Sequence, residues 1–130
     1  MKNIFLTTAV LSIITSCSLQ KGEHTKIYNL DEVNSQLVIK LKQNETVQLT
    51  VEANPSTGYS WNKTFTEDCA VVLVKEDSKN LGEEGIVGAP IRNIYEFKAN
   101  EVGECTVDFD YSRSWEGKSN LSKSVKFVVK

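Results

Sequence analysis

Histidine is almost absent from this chain. The only one, His24, lies in a polar stretch close to the start. No Ser-His-Asp or Cys-His pair can therefore be assembled inside the folded part. A histidine-based zinc site is excluded there for the same reason. Catalysis would have to rest on carboxylates or lysines alone. The adjacent acids Glu83 and Glu84 read as solvated loop charges, and Asp108 and Asp110 as the polar face of a strand. The expectation is a protein that is not an enzyme, with no catalytic residue, no metal and no cofactor. Basic excess is lacking too, since 15 Lys+Arg face 17 Asp+Glu for a formal charge of −2. Without a basic patch, nucleic acid is not an expected partner. Helical periodicity, internal repeats and low-complexity tracts are also missing.

What is present begins with a leader. Met1-Lys2-Asn3 gives a positive start, Ile4 to Ile14 is mostly apolar, and Thr15-Ser16-Cys17 follows. The apolar run is too short to cross a bilayer as a helix. A charged start, a short apolar run and small residues describe a secretory signal over residues 1–16. The order Ile14-Thr15-Ser16-Cys17 looks like a bacterial lipobox, in which Cys17 receives lipid and becomes the new N-terminus. An ordinary signal peptide cut near the same point is the plainer alternative. Residues 17–26 then read as the lipidated cysteine and a polar tether, and residues 27–130 as one domain. The expected location is exported and membrane-anchored, on the periplasmic side or the cell surface. Cleavage removes one lysine and no acid, so the charge of −2 becomes −3. Cys69 and Cys105 then remain as a pair. An exported chain can keep a disulfide, but cysteines are often buried as thiols, and two separate thiols are the expectation here.

The domain reads as short strands. Tyr28 to Leu30 is a first candidate. Leu37, Ile39 and Leu41 share one face, and Gln43-Asn44 makes a turn. Val47, Leu49 and Val51 alternate with Gln48, Thr50 and Glu52, the period of a strand with one buried face. Tyr59 to Thr64 follows, then Ala70 to Val74 as a continuous apolar run expected at the centre of a sheet. Asp77 to Pro90 reads as a long glycine-bearing loop. Ile91 to Ala99 resumes a strand. Cys105, Val107, Phe109 and Tyr111 alternate with polar residues, Ser112 to Ser122 reads as a second long loop, and Val125, Phe127 and Val129 mark the last strand. Short, evenly spaced strands predict an all-β fold, an immunoglobulin-like β-sandwich of short antiparallel strands.

Two loops stand out. In Asn54-Pro55-Ser56-Thr57-Gly58-Tyr59, Pro55 fixes its own φ and pushes Asn54 towards an extended conformation. Gly58 supplies a position where φ can be positive. The segment reads as a stiff, exposed connection between strands, with two small hydroxyl residues at its tip. In Tyr111-Ser112-Arg113-Ser114-Trp115-Glu116-Gly117, an arginine and a tryptophan stand in a polar loop. They could simply stack on each other, yet both types are enriched at interface hot spots.

The first loop resembles the NPTTGY loop of chagasin-type inhibitors of papain-like cysteine peptidases. The second resembles their RPW motif, with Arg113 and Trp115 in place and Ser114 where the proline stands. Between them, Gly85-Ile86-Val87-Gly88-Ala89 occupies the place of the family's GxGG loop, with Ala89 at an expected glycine. The order of all three along the chain agrees with the family. The resemblance implies a monomeric inhibitor that occludes a papain-like cysteine peptidase reversibly. Asn54, Pro55, Ser56, Thr57, Gly58 and Tyr59 would sit over the catalytic cysteine. Arg113, Ser114 and Trp115 would grip one side of the cleft, and Gly85, Gly88 and Ala89 the other. An exported sandwich that binds a glycan or a cell-surface protein is the alternative, and it calls for exposed aromatics. Most aromatics here fall at core-like strand positions, and only Trp115 is plainly in a loop.

Overall fold

The computed structural model describes residues 25–116 and 121–130. The leader, Cys17 and residues 117–120 lie outside the described residues. Eight strands form two four-stranded sheets. One sheet has the order β1 (Lys26–Asn29), β3 (Thr46–Ala53), β6 (Ile91–Ala99), β5 (Val71–Asn80). The other has β2 (Gln36–Leu41), β8 (Leu121–Val129), β7 (Gly103–Arg113), β4 (Tyr59–Phe65).

Alternation in the sequence becomes alternation in burial. Val47, Leu49 and Val51 of β3 meet Val107 and Phe109 of β7 and Val125, Phe127 and Val129 of β8 in one core. Phe97 of β6 packs at its centre, with Phe127 at 5.3 Å and Phe109 edge-on at 6.4 Å between ring centroids. Two sheets each hiding one face against the other is the sandwich solution to half-apolar strands.

Four expectations are corrected. The run 70–74 lies on an edge, because β5 pairs only with β6, and Val72 and Val74 face solvent. The same strand extends to Asn80, so the loop after it is shorter than the polar sequence implied. Lys75 to Asn80 show no alternation because their outer edge and both faces are wet. Backbone pairing with β6 carries the strand, past a bulge between Leu73 and Lys75 that breaks its phase. Two edge pairings, β1 with β3 and β2 with β8, are parallel, whereas antiparallel strands were expected throughout. The entering chain reaches both sheets in turn: a 3₁₀ turn at Leu30–Glu32 carries it from β1 in one sheet towards β2 in the other. Finally, Cys69 and Cys105 are joined as a disulfide with Cα atoms 4.7 Å apart, not separate thiols. Cys69 lies in the β4–β5 connection, two residues before β5, and Cys105 lies in β7, so the bond ties that connection to β7.

A lysine completes the core of β8. Lys123 points inward and is buried, and its ammonium donates to the Leu30 carbonyl in the crossover turn. That bond answers the polar cost of its position.

Tyr95 is buried between the sheets, with the Lys63 ammonium 4.5 Å from its ring centre. Its hydroxyl is pushed up from 10.0 to about 12, first by burial and then by the Glu76 carboxylate, while a hydrogen bond with Asn93 opposes the shift. A raised tyrosine pKa favours the fold while the group is neutral. The contribution is whole below the unfolded value of 10.0 and disappears as pH rises through about 12. Tyr95→Phe is expected to flatten the alkaline fall in unfolding free energy across that window. Urea titrations at stepped pH read it, and identical slopes for both proteins would assign the fall to other groups.

Candidate functional site

Register places three connections at one end of the sandwich. Ala53, the last residue of β3, pairs with Ile91, the first of β6, and Asn80 at the end of β5 pairs with Ile91 from the other side. In the facing sheet, Tyr59 opens β4 opposite Arg113 at the end of β7. The loops 54–58, 81–90 and the described part of the β7–β8 connection therefore open together.

The first loop is a single 3₁₀ turn, Pro55–Thr57. Proline suits the first position of such a turn, where its missing N–H is not needed. Asn54 is extended, as the following proline demands. Its carbonyl accepts from the Thr57 N–H at 3.2 Å and the Thr57 hydroxyl at 2.6 Å. The Ser56 hydroxyl donates to the Asn54 side-chain oxygen at 2.6 Å. Gly58 closes the turn at φ +83°, in the left-handed region. Five residues thus hold one another while Pro55, Ser56 and Thr57 stay exposed.

The third loop is braced against the first. The Trp115 ring lies over Gly58 so closely that a Cβ there would sit 2.5 Å from Cη2. Gly58 is thus fixed twice, by its φ and by the indole. Trp115 still leaves 70% of its surface exposed. The Arg113 Nε–H donates to the Thr57 carbonyl at 2.9 Å. Beneath them runs an aromatic column, with Tyr59 stacked on Tyr111 at 5.2 Å and Trp61 tilted against Tyr111 at 4.8 Å. The Tyr111 hydroxyl accepts from the Asn54 N–H at 3.0 Å, and the Trp61 Nε1–H donates to the Glu52 carbonyl at 2.9 Å.

The middle loop leaves through a narrow neck. Leu81 N–H donates to the Pro90 carbonyl at 3.0 Å, and a Cβ on Gly82 would fall 2.2 Å from that of Ala89. The Ala89 methyl thus fills the space that Gly82 leaves. Positive φ is needed at Gly85 (88°) and Gly88 (86°), and Ala89 is not among the residues that adopt it. The alanine at an expected glycine therefore imposes no backbone strain. A Cβ on Gly88 would lie 3.7 Å from the Ser56 hydroxyl, so this loop runs alongside the first. A Cβ on Gly85 would meet nothing within 4 Å, and Val87, next to Gly88, is 97% exposed.

Asn54 to Tyr59, Gly88, Arg113 and Trp115 are therefore brought together, Ala89 sits in the neck, and Ser114 is exposed in the turn before Trp115. Sequence reading missed Tyr111 and Glu116. Tyr111 is in phase with the core of β7, and nothing in its spacing marks the hydroxyl that holds Asn54. Glu116 resembles any loop acid until its partners are seen. Among the described residues, no three His, Cys, Asp or Glu side chains gather as a metal site.

This is an immunoglobulin-like β-sandwich that presents a preformed, three-loop tip with an apolar flank. The chain belongs to the chagasin family of peptidase inhibitors, I42, whose pattern matches residues 40–129. It is 26% identical over 106 residues to Amoebiasin-2 of Entamoeba histolytica, covering 82% of this chain and 86% of that protein. Its fold is similar to the crystal structure of the cysteine protease inhibitor EhICP2 from Entamoeba histolytica, with a TM-score of 0.68 and 27% identity over 84% of this chain and all of that one (100%). It is also similar in fold to PbICP-C, solved in complex with falcipain-2, with a TM-score of 0.62 and 18% identity over 81% of this chain and 99% of the other.

Proposed function

We propose that the chain is a reversible, occluding inhibitor of papain-like cysteine peptidases that lowers its three loops into the active-site cleft. The observation that carries this reading is the contact between Gly58 and the Trp115 ring, which joins two motifs far apart in the chain into one tip. The similarity to EhICP2, described as a cysteine protease inhibitor, supports the class of target. Ser56 and Thr57 are slim, exposed side chains on the first loop and enter deepest. Trp115 covers one wall, and the loop around Gly85 and Gly88 the other. The tip is already hydrogen-bonded, so little conformational entropy is lost on docking. Three loops can supply the roughly 1,600 Å² that a standard protease–inhibitor contact buries. The inhibitor contributes no covalent step.

We further propose that the mature protein starts at a lipidated Cys17 and works outside the cytoplasm as a tethered monomer. A disulfide between the two remaining cysteines is in keeping with an oxidising compartment.

Titrating papain or a cathepsin with the domain from Ser18 onward, against a fluorogenic substrate, tests the main reading. Saturable inhibition supports it. Full activity of several papain-like enzymes at micromolar domain would end it.

Ser114 offers a gain of function. It is the second residue of a turn closed by the Glu116 N–H on the Arg113 carbonyl at 3.2 Å. Proline is favoured at that position of the common turn types. Ser114→Pro is expected to tighten inhibition about twofold to fivefold, by removing conformations the free loop must give up. Unchanged inhibition by a folded Ser114→Pro variant would show that this turn is already fixed, and weaker inhibition that proline does not suit it; either result overturns the expectation.

A further inference from the structure

Arg113 faces its own protein. Besides its bond to the Thr57 carbonyl, its Nη1 meets the Glu116 carboxylate at 3.0 Å and its guanidinium carbon lies 4.3 Å from the centre of the Tyr59 ring. The same cation lies 5.8 Å from the Trp115 ring. The second Glu116 oxygen accepts from the Tyr59 hydroxyl at 3.4 Å. Glu116 therefore touches the first loop's exit and the third loop's arginine at once.

We propose that Glu116 is a positioning residue of the inhibitory tip. It clamps Arg113 against Thr57 and so fixes the height of the first loop relative to Trp115. This rests on the reading that the tip binds a peptidase. An unpinned arginine samples many rotamers, and its hydrogen bond to Thr57 then competes with water. A carboxylate on one side and a ring face on the other leave it one orientation. The turn that brings Glu116 back to Arg113 also aims Trp115, so one short segment sets both the brace and the apolar anchor. Arg113 acts inward, on Thr57, where the family resemblance had it gripping the cleft wall.

The test is a double-mutant cycle on the domain from Ser18 onward, with papain as the probe. Glu116→Ala alone is expected to weaken inhibition about threefold to fivefold, in keeping with a partly exposed ion pair. Arg113→Ala is expected to weaken it more. In an Arg113→Ala background, Glu116→Ala is expected to add nothing, because the arginine it positions is already gone. In the free protein, amide exchange at Thr57 and Gly58 is expected to quicken in Glu116→Ala while the melting temperature holds. Inhibition by the unaltered chain with additive losses would give Glu116 its own contact with the peptidase, and exchange unchanged at Thr57 and Gly58 would show the tip fixed without it. Either result overturns the clamp alone. No inhibition by the unaltered chain overturns the functional reading and the clamp with it.

Discussion

Trp115→Ala is expected to raise the inhibition constant for a papain-like peptidase by about thirtyfold or more, a loss of at least ~2 kcal/mol. The indole is rigid, 70% exposed, and held at a fixed height by the Gly58 backbone on one side. Docking would bury that area with few rotors to immobilise, which is how tryptophan becomes a hot spot. Removing it also uncovers Gly58 and frees one face of the Arg113 guanidinium. Because the ring lies outside the core, the melting temperature is expected to stay within a few degrees, so the loss reads as binding alone. Trp115→Phe keeps a flat apolar anchor and is expected to fall between the two. Inhibition by Trp115→Ala within about threefold of the unaltered chain would remove the third loop from the contact.

Much of the fold was legible in the sequence. Strict alternation at Val47–Val51 and Cys105–Phe109 located β3 and β7, because a half-buried strand must alternate. The tip was legible where chain stiffness is written in residue type: Pro55 and Gly58 lie in the conformations their chemistry favours. Legibility failed where pairing alone decides. The polar end of β5 is a strand only because β6 lies beside it. The Cys69–Cys105 bond needed a distance that no spacing along a chain encodes. Arg113 was singled out by its motif, yet its direction is set by Thr57, Tyr59 and Glu116, none of which that motif specifies.

Breaking the disulfide is expected to cost stability and spare inhibition. Cys69 and Cys105 are 36 residues apart in sequence, so the bond closes a loop whose entropy is worth about 3–4 kcal/mol to the unfolded chain. For a domain of this size that is on the order of 15–25 °C in melting temperature. Cys69→Ala/Cys105→Ala is expected to show that fall, and dithiothreitol is expected to impose most of it on the unaltered protein. The three-loop tip lies at the far end of β7. From Cys105 to Arg113 the strand runs on the order of 25 Å at about 3.3 Å per residue. Between them lies a continuous core, Val107 and Phe109 packed with Phe97 and Phe127. The brace of Arg113, Thr57 and Trp115 shares no atom with the cystine, and effects at separated sites add independently. The inhibition constant measured well below the lowered melting point is therefore expected to match that of the oxidised protein. A melting temperature indifferent to reduction would mean the core alone fixes the sandwich. Inhibition that weakens in step with stability would mean the tip draws its shape from the opposite pole, and the local brace of Arg113, Thr57 and Trp115 would then be insufficient to hold it.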